Sequence, residues 1–286
     1  MISVIIPTLN AAQSLPELVD RLRRQTRTNS EIIVVDSESE DGTARLAETL
    51  GCRTLRIKRS EFDHGGTRNY AACQAKGETL VFLTQDAMPV SENFLEQLTR
   101  PIDGVLTAGA YARQLPRPGA SPTEIFARSY NYPALSSLRR LDTLSRRTLR
   151  ALFFSNVASA VDRNCFERVG RFPTPIATNE DVLLCARLLD AGYQVAYVAE
   201  AEVLHSHDLG SRALFARYFR IGAFASAQRD TLRCESSSGD GFAFLSQQLA
   251  FLRRQGHLHA IPSAIAESGI KALAYKLGQV FGTRLR

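Results

Sequence analysis

Three short stretches gather side chains able to do acid, base or metal chemistry. FLTQDA (residues 82 to 87) ends an apolar run in Gln85 and Asp86, TNEDVLL (178 to 184) opens with Glu180 and Asp181, and VLHSHD (203 to 208) sets His205 and His207 one residue apart. A carboxylate at the end of an apolar strand resists desolvation unless it holds a cation or accepts hydrogen bonds. Asp86 suits a hard divalent cation, and it suits equally a cap for the segment after Pro89. Alternation along an extended strand points His205 and His207 to the same side. One imidazole can then join Asp86 in a mixed nitrogen and oxygen site while the other supports it. Glu180 and Asp181 fall in the first turn of a helix, where the dipole favours negative charge and Asn179 can act as cap. The same place allows an ionised carboxylate to take a proton from a substrate hydroxyl.

Further polar residues cluster at strand ends. The first apolar strand closes in Pro7, Thr8 and Asn10, and the second in DSESEDGT (36 to 43), which holds Asp36, Ser37 and Glu38. HGGTRN (64 to 69) adds His64, Gly65, Gly66 and Arg68. Two glycines permit a close backbone approach, and the helix start after them offers free amides to an anionic group, with Arg68 nearby.

The elements that must position these residues alternate. SVIIPT (3 to 8), EIIVVDSES (31 to 39), Arg53 to Ile57 and TLVFLT (79 to 84) read as strands. Leu15 to Leu22, Thr43 to Leu50 and Thr67 to Lys76 read as helices between them, with Ser14 as cap of the first. Strand, helix, strand implies parallel pairing, and ligands of such α/β folds sit beyond the carboxyl ends of the strands. Further on, the pattern predicts a helix at 94 to 99, a strand at 104 to 113, a loop at RPGASP (117 to 122) and a long helical tract from about Glu124 to Leu152. The arginines of that tract read as a solvated face. A strand at 157 to 161, a helix at 180 to 191 and a strand at QVAYV (194 to 198) follow. From about Ser211 the chain reads as helices broken by CESSSGDG (234 to 241). The closing segment 270 to 286 sets Ile270, Leu273, Leu277 and Val280 against four basic residues, which fits either an anionic membrane surface or a packed terminal helix.

A net charge of +6 and a pI near 9.2 point to anionic partners. No nucleic-acid recognition motif accompanies that charge. Five widely spaced cysteines without a C-x-x-C pair fit a reducing cytosol. No apolar run is long enough to span a bilayer, and the N-terminal apolar stretch is closed by Pro7.

In order, SVIIPTLN, VVDSESEDGT, HGGTRN, FLTQDA, NEDVLL and LHSH resemble the family 2 glycosyltransferases over roughly residues 2 to 210. No competing nucleotide fingerprint, neither G-x-x-x-x-G-K nor G-x-G-x-x-G, is present. The resemblance implies a GT-A fold: a Rossmann-like, mixed and mainly parallel sheet flanked by helices. Residues 1 to 210 would form the catalytic domain; 211 to 286, beyond the resemblance, read from their own pattern as a helical extension, its last segment suited to a membrane surface or to packing. The resemblance implies a nucleotide-diphosphate sugar donor, held by Pro7, Thr8, Asn10, Asp36, Ser37 and Glu38, with Asp36 meeting the base. His64, Gly65, Gly66, Arg68 and Gln85 would line the donor side, residues 153 to 173 with Asn156 and Ser159 the acceptor side, and Glu180 would bind substrate beside Asp181. Asp86 and His205, or His207 in its place, would hold Mg2+ or Mn2+, and Asp181 would be the general base of an inverting transfer.

HGGTRN with TQDA is most similar to bacterial rhamnosyltransferases of surface polysaccharide synthesis. That likeness implies dTDP-L-rhamnose as donor and a saccharide or lipid-linked acceptor, at the inner face of the cytoplasmic membrane. Where many relatives carry Asp-x-Asp, this chain has Thr84, Gln85 and Asp86. The missing first carboxylate leaves a catalytically silent sugar-nucleotide or glycan-binding module as the alternative.

Overall fold

The computed structural model describes residues 1–206, 209–234 and 239–282. Nine strands form one mixed sheet. They are β1 (Ile2–Thr8), β2 (Ser30–Asp36), β3 (Arg53–Arg56), β4 (Thr79–Leu83), β5 (Met88–Pro89), β6 (Thr107–Leu115), β7 (Ser137–Arg139), β8 (Ala158–Asp162) and β9 (Gln194–Leu204). The order is β3-β2-β1-β4-β8-β6-β9-β5, with β7 also paired to β9. The pairs β1–β2, β1–β4, β2–β3 and β6–β9 are parallel, while β8 runs antiparallel between β4 and β6.

The strands are apolar on both faces because both are covered. Ile5, Ile33 and Phe82 pack with α3 (His64–Gln74), α6 (Arg163–Arg168) and α7 (Glu180–Asp190). Their neighbours Val4, Ile6, Val81 and Leu83 turn to the other face, against α1 (Leu15–Arg23) and α4 (Phe94–Thr99). Each of these fully buried aliphatic or aromatic side chains contributes roughly 1.5–3 kcal/mol. The remaining helix of this half, α2 (Thr43–Thr49), covers β2 through Ala47 and Val34.

Four local expectations are corrected. The tract from Glu124 to Leu152 is not one helix. α5 (Pro122–Asn131) stops before Pro133, which lacks a donor and pushes its predecessor out of helical geometry. Two of its arginines are anchors and not part of a solvated face: Arg139 donates to Phe153 O and Tyr111 Oη, and Arg147 pairs with Asp190 at 2.5 Å, whereas Arg140, Arg146 and Arg150 are exposed as expected. Ser14 does not cap α1, since it is already helical and its hydroxyl donates to Gln85 O at 3.0 Å. Asn179 does not cap α7 through its side chain. It sits at φ 61°, in the left-handed region.

Downstream come α8 (Ser211–Ala227), α9 (Arg229–Leu232), α10 (Asp240–Arg254) and α11 (Ile261–Phe281). α8 and α11 cross at backbone contact, because a Cβ on Gly222 would strike Tyr275 O and one on Gly278 would strike Phe219 O. Phe224 and Leu232 reach the main core, and Phe126 of α5 meets Phe244 and Phe251 of α10 at ring distances of 5.2 and 5.5 Å. Of the tail residues expected on one apolar stripe, Leu273 and Val280 face out, whereas Ile270 and Leu277 are half-buried.

Candidate active site

Pairing of β5 with β9 assembles the first corner. Met88 lies opposite Leu204 and Pro89 opposite Val203, so the TQDA turn before β5 meets the chain leaving β9. His205 Nε2 lies 3.6 Å from Asp86 Oδ2, the imidazole buried and the carboxylate 22% exposed. His205 Nδ1 lies 3.0 Å from Gln114 Oε1. The amide oxygen can only accept, so Nδ1 carries a proton, and in the neutral imidazole that leaves Nε2, on the Asp86 side, as the nitrogen able to ligate a cation. An imidazole nitrogen, a carboxylate and a second-sphere acceptor fit a divalent cation. Among the described residues no group of three or more His, Cys, Asp or Glu side chains could hold a metal. A cation on these two side chains would have coordination positions left for the oxygen atoms of a bound ligand. His207 lies outside the described residues.

The second corner is the acid pair at the start of α7. Glu180 is buried and its Oε1 accepts from Asn156 Nδ2 at 3.0 Å and faces Arg68 Nη1 at 3.4 Å. Asp181 Oδ2 accepts from the Asn156 amide at 3.1 Å. Burial, and then the neighbouring Glu180 charge, push the Asp181 carboxyl up to about 7. Arg68 pairs with Glu180, and among the described residues no cation forms an ion pair with Asp181.

Residues 155 to 157 join the corners. Ser155 Oγ accepts from Gln114 Nε2 at 2.9 Å, Asn156 holds both acids, and Val157 O accepts from the Thr84 amide at 3.1 Å. Arg117 closes over the same turn, donating to Asp86 O at 2.5 Å.

The ends of β1 and β2 form an adjoining wall. Thr8 Oγ1 donates to Asp36 Oδ1 at 3.2 Å, and Asp36 also accepts from the Ser39 amide at 3.0 Å. Asn10 and Glu38 hold left-handed backbone at φ 52° and 55°, where Asn10 Oδ1 caps the Glu40 amide and Glu38 accepts from Arg59 N. Pro7 pairs with Val35 inside the ladder. Among the described residues the buried hydroxyls of Ser37 and Thr84 have no hydrogen-bond partner, an arrangement that a polar ligand at these strand ends would relieve.

Several donor-side residues have partners within the protein itself. Gly65 makes its close approach to the protein's own backbone, since a Cβ there would strike Pro173 O. The Gly66 amide is taken by Asp63 Oδ1 at 2.6 Å, so α3 starts at His64 and its first turn is already capped. Arg68 is buried, 4% exposed, and serves as counter-ion to Glu180 instead of an exposed diphosphate contact. Gln85 binds the Leu9 backbone with both ends of its amide, at 2.8 and 3.1 Å. His64 is exposed and, with Phe62, Asp63, Pro175, Ile176 and Ala177, lines a cleft of about 460 Å³.

Sequence reasoning missed Gln114, Ser155 and Arg117. Gln114 lies inside a strand and is buried, and the only signal in the sequence was an amide within the run TAGAYARQL.

An α/β sheet with polar side chains gathered at its strand ends, a metal-compatible acid and imidazole, and a carboxyl pushed up to about 7 describes a group-transfer enzyme. The description Glycosyl transferase family 2 matches residues 3–170. The chain is 36% identical to the O-antigen chain rhamnosyltransferase WbaN of Salmonella anatum, covering 97% of this chain and 89% of that protein. It is 35% identical, with the same coverage, to the O-antigen chain rhamnosyltransferase RfbN of Salmonella typhimurium. Its fold superposes on the mannosyltransferase PcManGT of Pyrobaculum calidifontis, solved with GDP-Man and Mn2+, with a TM-score of 0.68 at 17% identity, covering 98% and 87% of the two chains. The protein belongs to glycosyltransferase family 2, with a GT-A fold.

Proposed function

We propose that the protein transfers L-rhamnose from dTDP-L-rhamnose, with inversion, to a saccharide or lipid-linked saccharide acceptor in O-antigen synthesis. The meeting of Asp86 and His205 beside the acid pair carries this reading, because it sets a diphosphate-binding corner against a base. Full-length likeness to two rhamnosyltransferases supports the choice of sugar.

Asp86 and His205 would hold Mg2+ or Mn2+, which when bound offsets charge building on the departing diphosphate. Asp181, with a carboxyl near 7, is basic enough to take the acceptor hydroxyl's proton as that oxygen attacks the sugar carbon. Asn156 orients it through the backbone amide on Oδ2. The Arg68–Glu180 pair keeps a second carboxylate charged beside it, which raises its basicity.

The test is a thermal-shift and turnover screen of dTDP-L-rhamnose, UDP-sugars and GDP-sugars with and without Mn2+. The expected result is a rise in Tm and nucleotide release with dTDP-L-rhamnose and Mn2+. Stabilisation by UDP- or GDP-sugars alone would refute the donor, and binding without transfer to any acceptor saccharide would favour a silent module.

A further inference from the structure

The helical extension has a surface for which the transfer chemistry has no use. α11 turns Ala264, Ala274 and Gly278 inward. On its opposite face Ile265, Leu273 and Val280 are 50%, 57% and 58% exposed. Exposed Ala272 and Lys276 lie among them, and no carboxylate shares this face. Glu267 lies off it, paired with Lys271 at 3.7 Å. A surface helix ordinarily turns polar residues outward, and a contiguous exposed apolar strip marks a contact surface.

Charge distribution identifies the occupant. Residues 211–286 hold 11 of the 35 Lys and Arg but only 4 of the 29 Asp and Glu, a net +7, while residues 1–210 carry −1. The chain's whole positive excess therefore belongs to the extension. A second copy seated on this face would bring two such segments and two Lys276 side chains together. An anionic lipid surface complements both the apolar strip and the charge. No helix among the described residues is long and apolar enough to cross a membrane, so the contact is in-plane.

We propose that the outer face of α11 lies on an anionic lipid bilayer, with Ile265, Leu273 and Val280 entering the acyl boundary and Lys276 reaching the headgroup phosphates. The observations are independent of the catalytic reading, and vesicle binding needs no sugar donor.

The test is co-sedimentation of the full chain with phosphatidylcholine vesicles, with and without phosphatidylglycerol. Binding should appear with phosphatidylglycerol and weaken as salt rises. Leu273→Glu should weaken it at least about tenfold at unchanged Tm, since it removes an inserted side chain and adds a repelled charge. Lys276→Glu, which leaves the apolar strip intact, should weaken it by roughly tenfold as well. Three results would overturn the proposal: no binding of the wild-type chain to phosphatidylglycerol vesicles, full binding by both variants, or a concentration-dependent dimer that Leu273→Glu dissolves while vesicle binding is absent.

Discussion

The two corners of the site use the same chemical group in opposite ways. Asp86 stays partly in water, faces an imidazole at 3.6 Å and is shaped to share a cation. Asp181 is half-buried beside a second carboxylate that stays charged through its pairing with Arg68, and burial together with that neighbouring charge pushes its own carboxyl up to about 7. Environment alone separates a metal-binding carboxylate from a proton acceptor. The difference also shows why one cation near the acid pair does not quench its basicity: Arg68 lies with Glu180, not with Asp181.

The comparison breaks most sharply at Asp181. Asp181→Asn should lower kcat by about 10²–10⁴-fold while leaving Mn2+ and donor affinity near wild type, measured by titration calorimetry beside turnover. Removing the counter-ion should hurt the fold more than the chemistry. Arg68→Met strands a buried Glu180 and should cost about 3–5 kcal/mol in a denaturant titration, much of it recovered in Arg68→Met/Glu180→Leu. At the other corner, Gln114→Leu leaves Asp86 and His205 in place but frees the imidazole tautomer. It should weaken Mn2+ binding by about 10–100-fold, with the loss of the Nδ1–H form visible in the nitrogen shifts of His205.

The smallest effect is on stability against pH. The Asp181 carboxyl is raised in the folded state above its unfolded value of 3.8, so its ionisation costs stability as pH climbs from there through about 7. Asp181→Asn should accordingly raise Tm more at mildly alkaline than at mildly acidic pH.

Strand ends were legible in the sequence because apolar runs closing in Asp36 and Asp86 announce where a sheet opens to solvent. The glycine pair was legible as a tight approach but not as to its target. Gly65 meets Pro173, and that contact depends on the segment before α7. Pairing at long range was hidden for the same reason. Nothing local to Arg68 or Gln114 names Glu180 or His205 as partner, and β8 running against its neighbours is what brings Asn156 to both acids. The tract after Glu124 misled because helical periodicity outweighed Pro133.

The claim that environment makes Asp181 the base is tested most directly by the pH dependence of kcat/KM in the wild type and in Glu180→Gln. The wild type should lose activity toward acid with an apparent pKa near 7, and Glu180→Gln should move that limb to lower pH because a repelling charge is gone. A limb that stays put in Glu180→Gln, or a rate that is flat through that range in the wild type, would contradict it.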